Sequence, residues 1–198
     1  YRNNGNGSFT RVTTQAFTGA YDGACTLVDY DRDGKKDICY TGRTNLSGAP
    51  VTVFKLYLNR GSFSFYDSTI AVPGLTKASI SWADCDADGD DDLLVSGVFN
   101  AGNITRFYTV AGSTFTQRSI GLSDISSGQT LWVDVNNDGK PDIVNAGLGT
   151  AGGSVPIAPE IFINNGSNNF TRLTNNLPAW FGINQDWADY DGDGDKDV

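Results

Sequence analysis

Four nine-residue windows concentrate the oxygen chemistry of this chain: DYDRDGKKD at 29–37, DCDADGDDD at 84–92, DVNNDGKPD at 134–142 and DYDGDGDKD at 189–197. They align without gaps. Carboxylate or amide side chains stand at positions 1, 3, 5 and 9, and Gly stands at position 6. Calcium takes about six to eight oxygen ligands at about 2.3–2.6 Å, so it needs several hard oxygens gathered by a tightly curled backbone. Alternate residues can point inward while the glycine relieves the turn. The candidate ligands are Asp29, Asp31, Asp33 and Asp37; Asp84, Asp86, Asp88 and Asp92; Asp134, Asn136, Asp138 and Asp142; and Asp189, Asp191, Asp193 and Asp197. Position 7 (Lys35, Asp90, Lys140, Asp195) is expected to offer its main-chain carbonyl, which suits Lys as well as Asp.

Other metals and other loops fit less well. The chain has no His and no paired Cys, which argues against zinc or copper. An EF-hand needs Glu at position 12, where this chain has Tyr40, Val95 and Asn145, and it needs flanking helices where the flanks here read as strands. A solvated Asp/Gly hairpin turn would explain one window but not four in register. Of the 23 acidic residues, only Asp22, Asp67, Asp124, Glu160 and Asp186 lie outside the windows. Four divalent cations would nearly neutralise the net charge of -9. About four calcium ions are therefore expected.

The elements that carry these loops repeat with them. The windows start 55, 50 and 55 residues apart, and Leu27, Trp82, Trp132 and Trp187 each stand two residues ahead. ICYTG, LLVSG and IVNAG follow the first three windows, and an aromatic stretch with a Gly turn and a Phe recurs at 1–11, 56–66, 107–117 and 161–171. A period near 50 with several strands per unit indicates a solenoid or a propeller. In the second unit the strands are expected at about 78–84, 91–98, 104–110 and 114–118, the second apolar on consecutive positions as if buried on both faces. No helical periodicity appears, so the fold class is all-β, with residues 1–198 as one domain.

The pattern W-x-D-x-[DN]-x-D-G-x-x-D followed by an apolar strand resembles the FG-GAP and VCBS repeat families, which include the calcium-bearing blades of integrin α-subunit propellers. The resemblance spans essentially the whole chain. It implies a β-propeller of about four four-stranded blades, with each loop joining the first two strands of a blade and its side chains coordinating calcium. Leu27 in place of Trp, Asn136 in place of Asp, and fewer blades than integrin-type propellers depart from that pattern.

The ends read as parts of a blade. Tyr1–Asn3 and about 8–12 look like third and fourth strands, and about 183–189 like a first strand. A composite blade closing a ring, an excerpt of a longer array, and a blade completed by a neighbouring chain all remain open. A segment matching residues 93–107 would be lacking between Val198 and Tyr1. The absence of Met points to a processed start or a piece of a longer protein.

Function follows by class. Without His, no Ser/His/Asp or Cys/His set can be assembled, and a glycosidase pair of carboxylates would have to draw on the five acids outside the windows, so an enzyme is not expected. The acidic balance disfavours nucleic acid, and no run of about 18 apolar residues exists for membrane insertion. An extracellular module that recognises protein or glycan is expected, its scaffold held by calcium of the millimolar range. The alternatives are a structural subunit of a surface filament or matrix, assembled from neighbouring copies, and a non-catalytic domain of a secreted enzyme. Trp180 is a candidate exposed contact for a sugar, against the alternative that it packs between blades. Sequons at Asn6, Asn45, Asn103, Asn165 and Asn169 are possible glycosylation sites. Cys25 and Cys39 flank the first window and leave one bridge open, or two small buried hydrophobes; Cys85 has no evident partner.

Overall fold

The computed structural model describes residues 1–13, 16–45, 51–149, 155–179, 184–194 and 196–198. Among them there are strands and turns but no helix, and hence no helix long and apolar enough to cross a membrane. Strands β1 (Arg2–Asn3) and β2 (Phe9–Thr10) form a small antiparallel hairpin. A meander of β3 (Tyr21–Val28), β4 (Asp37–Thr44), β5 (Val51–Asn59) and β6 (Phe65–Ser68) follows. The next meander is β7 (Thr76–Ala83), β8 (Asp92–Phe99), β9 (Gly102–Ala111) and β10 (Thr114–Arg118). The third contains β11 (Ile125–Val133), β12 (Asp142–Gly149), β14 (Glu160–Asn164) and β15 (Phe170–Leu173), with the short β13 (Val155–Pro156) also paired to β12. Every pairing is antiparallel, and the strands expected in the second unit differ from those found by only one or two residues at most ends.

The consecutive apolar run of each second strand has a simple cause. Successive strand residues point to opposite faces. In β8, Leu93 and Val95 join a core shared with the first meander, including Val28, Leu56 and Leu75, while Leu94 joins Phe107, Ile143 and Phe162 in a core shared with the third. All three β8 residues are fully buried, and each such side chain contributes about 1.5–3 kcal/mol. Adjacent meanders therefore pack face to face, their first strands β3, β7 and β11 side by side. Between the latter two, Ser81 Oγ accepts a hydrogen bond from Trp132 N at 3.2 Å, and Ser79 Oγ does the same for Thr130 N at 3.3 Å.

Each first strand carries a bulge at one equivalent place. The register slips between Tyr21 and Ala24, between Thr76 and Ser79, and between Ser126 and Gln129. Asp22, Lys77 and Ser127 occupy these bulges with φ of 56°, 47° and 50°.

The fourth unit differs from expectation. Instead of a first strand at about 183–189, the described residues there make one isolated bridge, Ala188 to Asp197. Among the described residues no pairing joins β1 and β2 to this hairpin. Cys25 and Cys39 are both free thiols. Cys25 pairs across from Tyr40 and Cys39 from Thr26, so the two cysteines point to opposite faces of the sheet and cannot meet.

Candidate metal centres

Each acidic loop connects a first strand to a second, and its side chains first of all shape its own backbone. At position 1, Asp29, Asp84, Asp134 and Asp189 each accept a hydrogen bond through Oδ2 from the N–H of the position 6 glycine, at 3.1, 2.9, 2.9 and 3.1 Å. Those glycines, Gly34, Gly89, Gly139 and Gly194, have φ of 83°, 95°, 82° and 100°, a conformation that a side chain would strain. At position 5, Asp33, Asp88 and Asp138 accept from the N–H of position 7 at 2.9, 2.8 and 2.9 Å. The curl thus has the same internal wiring in successive copies.

Position 9 acts as a brace. Asp37, Asp92 and Asp142 are fully buried. One oxygen of each accepts from the N–H of position 2 (Tyr30 2.9 Å, Cys85 3.1 Å, Val135 3.0 Å), and the other from the third strand (Asn59 N 2.7 Å, Val110 N 2.8 Å, Asn164 N 2.7 Å). Burial raises the proton affinity of all three carboxyls. The first three loops are therefore each tied to a strand that lies beyond their own hairpin.

The FG-GAP-like repeat family matches residues 1–40 and 134–198, more than half of the chain. This chain belongs to the FG-GAP-like repeat family. No curated protein matches it.

Within the FG-GAP-like loops, acidic oxygens converge in three of four copies. Asp29, Asp31 and Asp33 bring ligand atoms within 4.8 Å of one another; so do Asp84, Asp86 and Asp92, and Asp189, Asp191 and Asp197. In the first two loops the position 1 oxygen facing away from glycine, Asp29 Oδ1 and Asp84 Oδ1, is buried and accepts no hydrogen bond. An orphaned buried oxygen costs about 1–3 kcal/mol, more when it carries charge, so a cation is the partner that would satisfy it. The donor set, hard oxygens from several carboxylates, fits a calcium-type ion.

Existing charge compensation is weak and uneven. In the first loop, Arg60 pairs with Asp31 at 2.8 Å and Lys35 with Asp33 at 2.6 Å, both partly exposed. Pairs of this kind contribute about 0–1 kcal/mol and yield readily to a divalent ion. The second loop holds six Asp in nine residues and no base of its own; Arg32 reaches across from the first loop to Asp90 at 3.2 Å. Burial and then the neighbouring Asp86, Asp90 and Asp84 raise the proton affinity of Asp88. Asp90 also accepts from Gly112 N at 2.8 Å, so its carboxylate is engaged outside the loop.

The other two copies depart from this arrangement. In the third, both oxygens of Asp134 are taken, by Asp138 N at 3.0 Å and by Gly139 N, while Lys140 holds Asp138 at 2.8 Å. Three acidic oxygens do not converge there, because Asn136 replaces one of them. In the fourth, Asp189, Asp191 and Asp197 converge but are all exposed. Asp193 is present in that loop, and Asp195 lies outside the described residues, as does Trp180.

Several contacts of the FG-GAP-like loops were not signalled by spacing. Position 2 reaches the neighbouring meander: Tyr30 donates its hydroxyl to Gly112 O at 2.8 Å and stacks on Phe115, and Cys85 O accepts from Asn164 Nδ2 at 2.7 Å. Asn168 Nδ2 likewise donates to Asp86 Oδ2 at 2.7 Å. The signal available was the varied, non-acidic position 2 beside a fixed Asp. Among the sequons, Asn6, Asn45, Asn165 and Asn169 are exposed, whereas Asn103 is half-buried and donates Nδ2 to Leu148 O at 2.8 Å.

Proposed function

We propose that this chain is an extracellular calcium-binding module, a β-propeller of about four blades whose acidic loops fix the first hairpin of each blade and whose remaining loops recognise protein or glycan. The observation that carries it is the orphaned, buried Oδ1 of Asp29 and Asp84 inside converging carboxylates. A bound ion supplies positive charge at the loop. The residues do the rest: positions 1, 3 and 5 curl the backbone, and position 9 transmits the loop's order to the third strand. Calcium thus acts on the scaffold, and no catalytic role is assigned to the acids. Thermal melting in calcium and in excess EGTA tests the proposal: chelation is expected to lower the melting temperature by many degrees, and an unchanged melt sinks it.

A second reading, assembly through unfinished edges, has its own support. The first strand β3 is far more exposed than β7 or β11, with Leu27 at 60% and Tyr21 at 50%, and Tyr190 is 91% exposed where the equivalent Tyr30 is packed. In a closed ring, Asp197 would receive Asn3 N as Asp37 receives Asn59 N. Light scattering across a concentration series separates the two: a concentration-independent monomer supports closure within one chain, and growing oligomers support assembly.

A further inference from the structure

The acidic loops touch one another through position 4. This residue is left-handed in every copy, with φ of 56°, 59°, 56° and 80° at Arg32, Ala87, Asn137 and Gly192. Where it carries a polar side chain, that side chain reaches the position 6 glycine of the next loop. The guanidinium of Arg32 packs against Gly89, where a β-carbon would stand 2.6 Å from Nη1 and 3.0 Å from Nη2, so glycine is what leaves room for it. Asn137 Nδ2 lies 3.9 Å from the corresponding point on Gly194. Ala87 is too short to do the same, and no described residue beyond the chain neighbours stands within 4 Å of that point on Gly139. The tightest of these contacts joins the two loops in which Asp29 Oδ1 and Asp84 Oδ1 are orphaned.

Arg32 also closes a circuit between those two loops. Its Nη2 pairs with Asp90 Oδ1 at 3.2 Å, Asp90 Oδ2 accepts from Gly112 N at 2.8 Å, and Gly112 O accepts from the Tyr30 hydroxyl at 2.8 Å. Tyr30 and Arg32 alternate with Asp29, Asp31 and Asp33, so the converging acids of the first loop are interleaved with two residues that hold the second. At the far end stands Asp90, whose main-chain carbonyl is the expected position 7 ligand of the second loop. A cation that fixes Asp29, Asp31 and Asp33 thereby fixes Tyr30 and Arg32, and these fix Asp90. Resting on the calcium reading above, we propose that the first two loops bind calcium cooperatively, the first ordering the second through Tyr30 and Arg32 and the second ordering the first in return. Bare repulsion between two divalent ions has the opposite sign, so the direction of the effect identifies its cause.

A calcium titration of ¹⁵N-labelled protein reads the two sites separately, at the amides of Gly34 and Gly89. Asp29→Asn disables the first site, while its amide oxygen can keep the hydrogen bond from Gly34 N. The calcium midpoint at Gly89 is then expected to rise about fivefold, the low end of coupling between sites, because the Arg32–Asp90 pair is partly exposed. Tyr30→Phe combined with Arg32→Gln cuts the circuit but keeps a ring to stack on Phe115. It should raise the Gly89 midpoint by a similar factor and make it insensitive to Asp29→Asn. Amide spectra of each variant in EGTA check that the fold is kept. A Gly89 midpoint unchanged or lowered by Asp29→Asn would overturn the coupling alone, as would coupling that survives in the Tyr30→Phe, Arg32→Gln variant. No saturable shift at either glycine would overturn the calcium reading as well.

Discussion

Asp84→Asn separates a metal ligand from a turn-former. In the second loop Asp84 Oδ2 accepts from Gly89 N at 2.9 Å, and an amide oxygen can do the same. Its Oδ1 is buried and orphaned, and a carboxylate oxygen of Asp84 lies within 4.8 Å of oxygens from Asp86 and Asp92. At an effective dielectric of about 20, each such like-charge contact is worth about 3 kcal/mol before screening, and about 1 kcal/mol after discounting for partial exposure. Without calcium the substitution should therefore be neutral or stabilise by about 1 kcal/mol. With calcium at about a hundred times its dissociation constant, one site contributes about 2.7 kcal/mol of stability. For a chain of 198 residues that is a shift of about 5–10 °C. Paired calorimetric melts of parent and variant, in calcium and in EGTA, give the four numbers needed. An equal loss in both conditions would refute the reasoning, because Asp84 would then act only as the partner of Gly89.

Asp142→Ala should behave in the opposite way, lowering stability by about 2–5 kcal/mol with or without calcium, because Val135 N and Asn164 N lose their buried acceptor; urea midpoints in both conditions check this. The pH dependence should change sign with calcium. Burial raises the folded-state proton affinity of Asp37, Asp92 and Asp142, so in EGTA their contribution is least favourable at neutral pH and improves as pH falls toward the carboxylate range. Asp33 and Asp138, whose pKa values are lowered chiefly by hydrogen bonds from Lys35 and Lys140, act in the opposite sense, their contribution being lost as pH falls through the carboxylate range toward their lowered folded-state values. With calcium bound, protonation competes with the ion and stability should fall over the same interval. Denaturant midpoints measured at stepped pH, with calcium and with EGTA, test the reversal; parallel curves would contradict it.

Much of this protein was legible from residue order alone. The register of four loops, the all-β class, the second strands buried on both faces and the family could be read from the repeat, because side-chain alternation and turn chemistry are local properties. Other features depended on what lies across the gap between sheets. Position 9 was read as one ligand among four, and only the packed structure shows its two oxygens spent on Cys85 N and Val110 N. The sequence set the third loop apart by Asn136 and the fourth by its place in the repeat, but did not separate the first two from the others by burial. The structure ranks them, since burial orphans Asp29 Oδ1 and Asp84 Oδ1, both oxygens of Asp134 are taken by backbone N–H groups, and the acids of the fourth loop are exposed. The possible bridge between Cys25 and Cys39 was settled by a one-residue offset in register, which no spacing in sequence reveals. The circuit through Tyr30, Gly112, Asp90 and Arg32 likewise exists only because adjacent meanders pack face to face. Local chemistry is written in the order of residues; which oxygens are left without partners is decided by burial, and burial belongs to the whole fold.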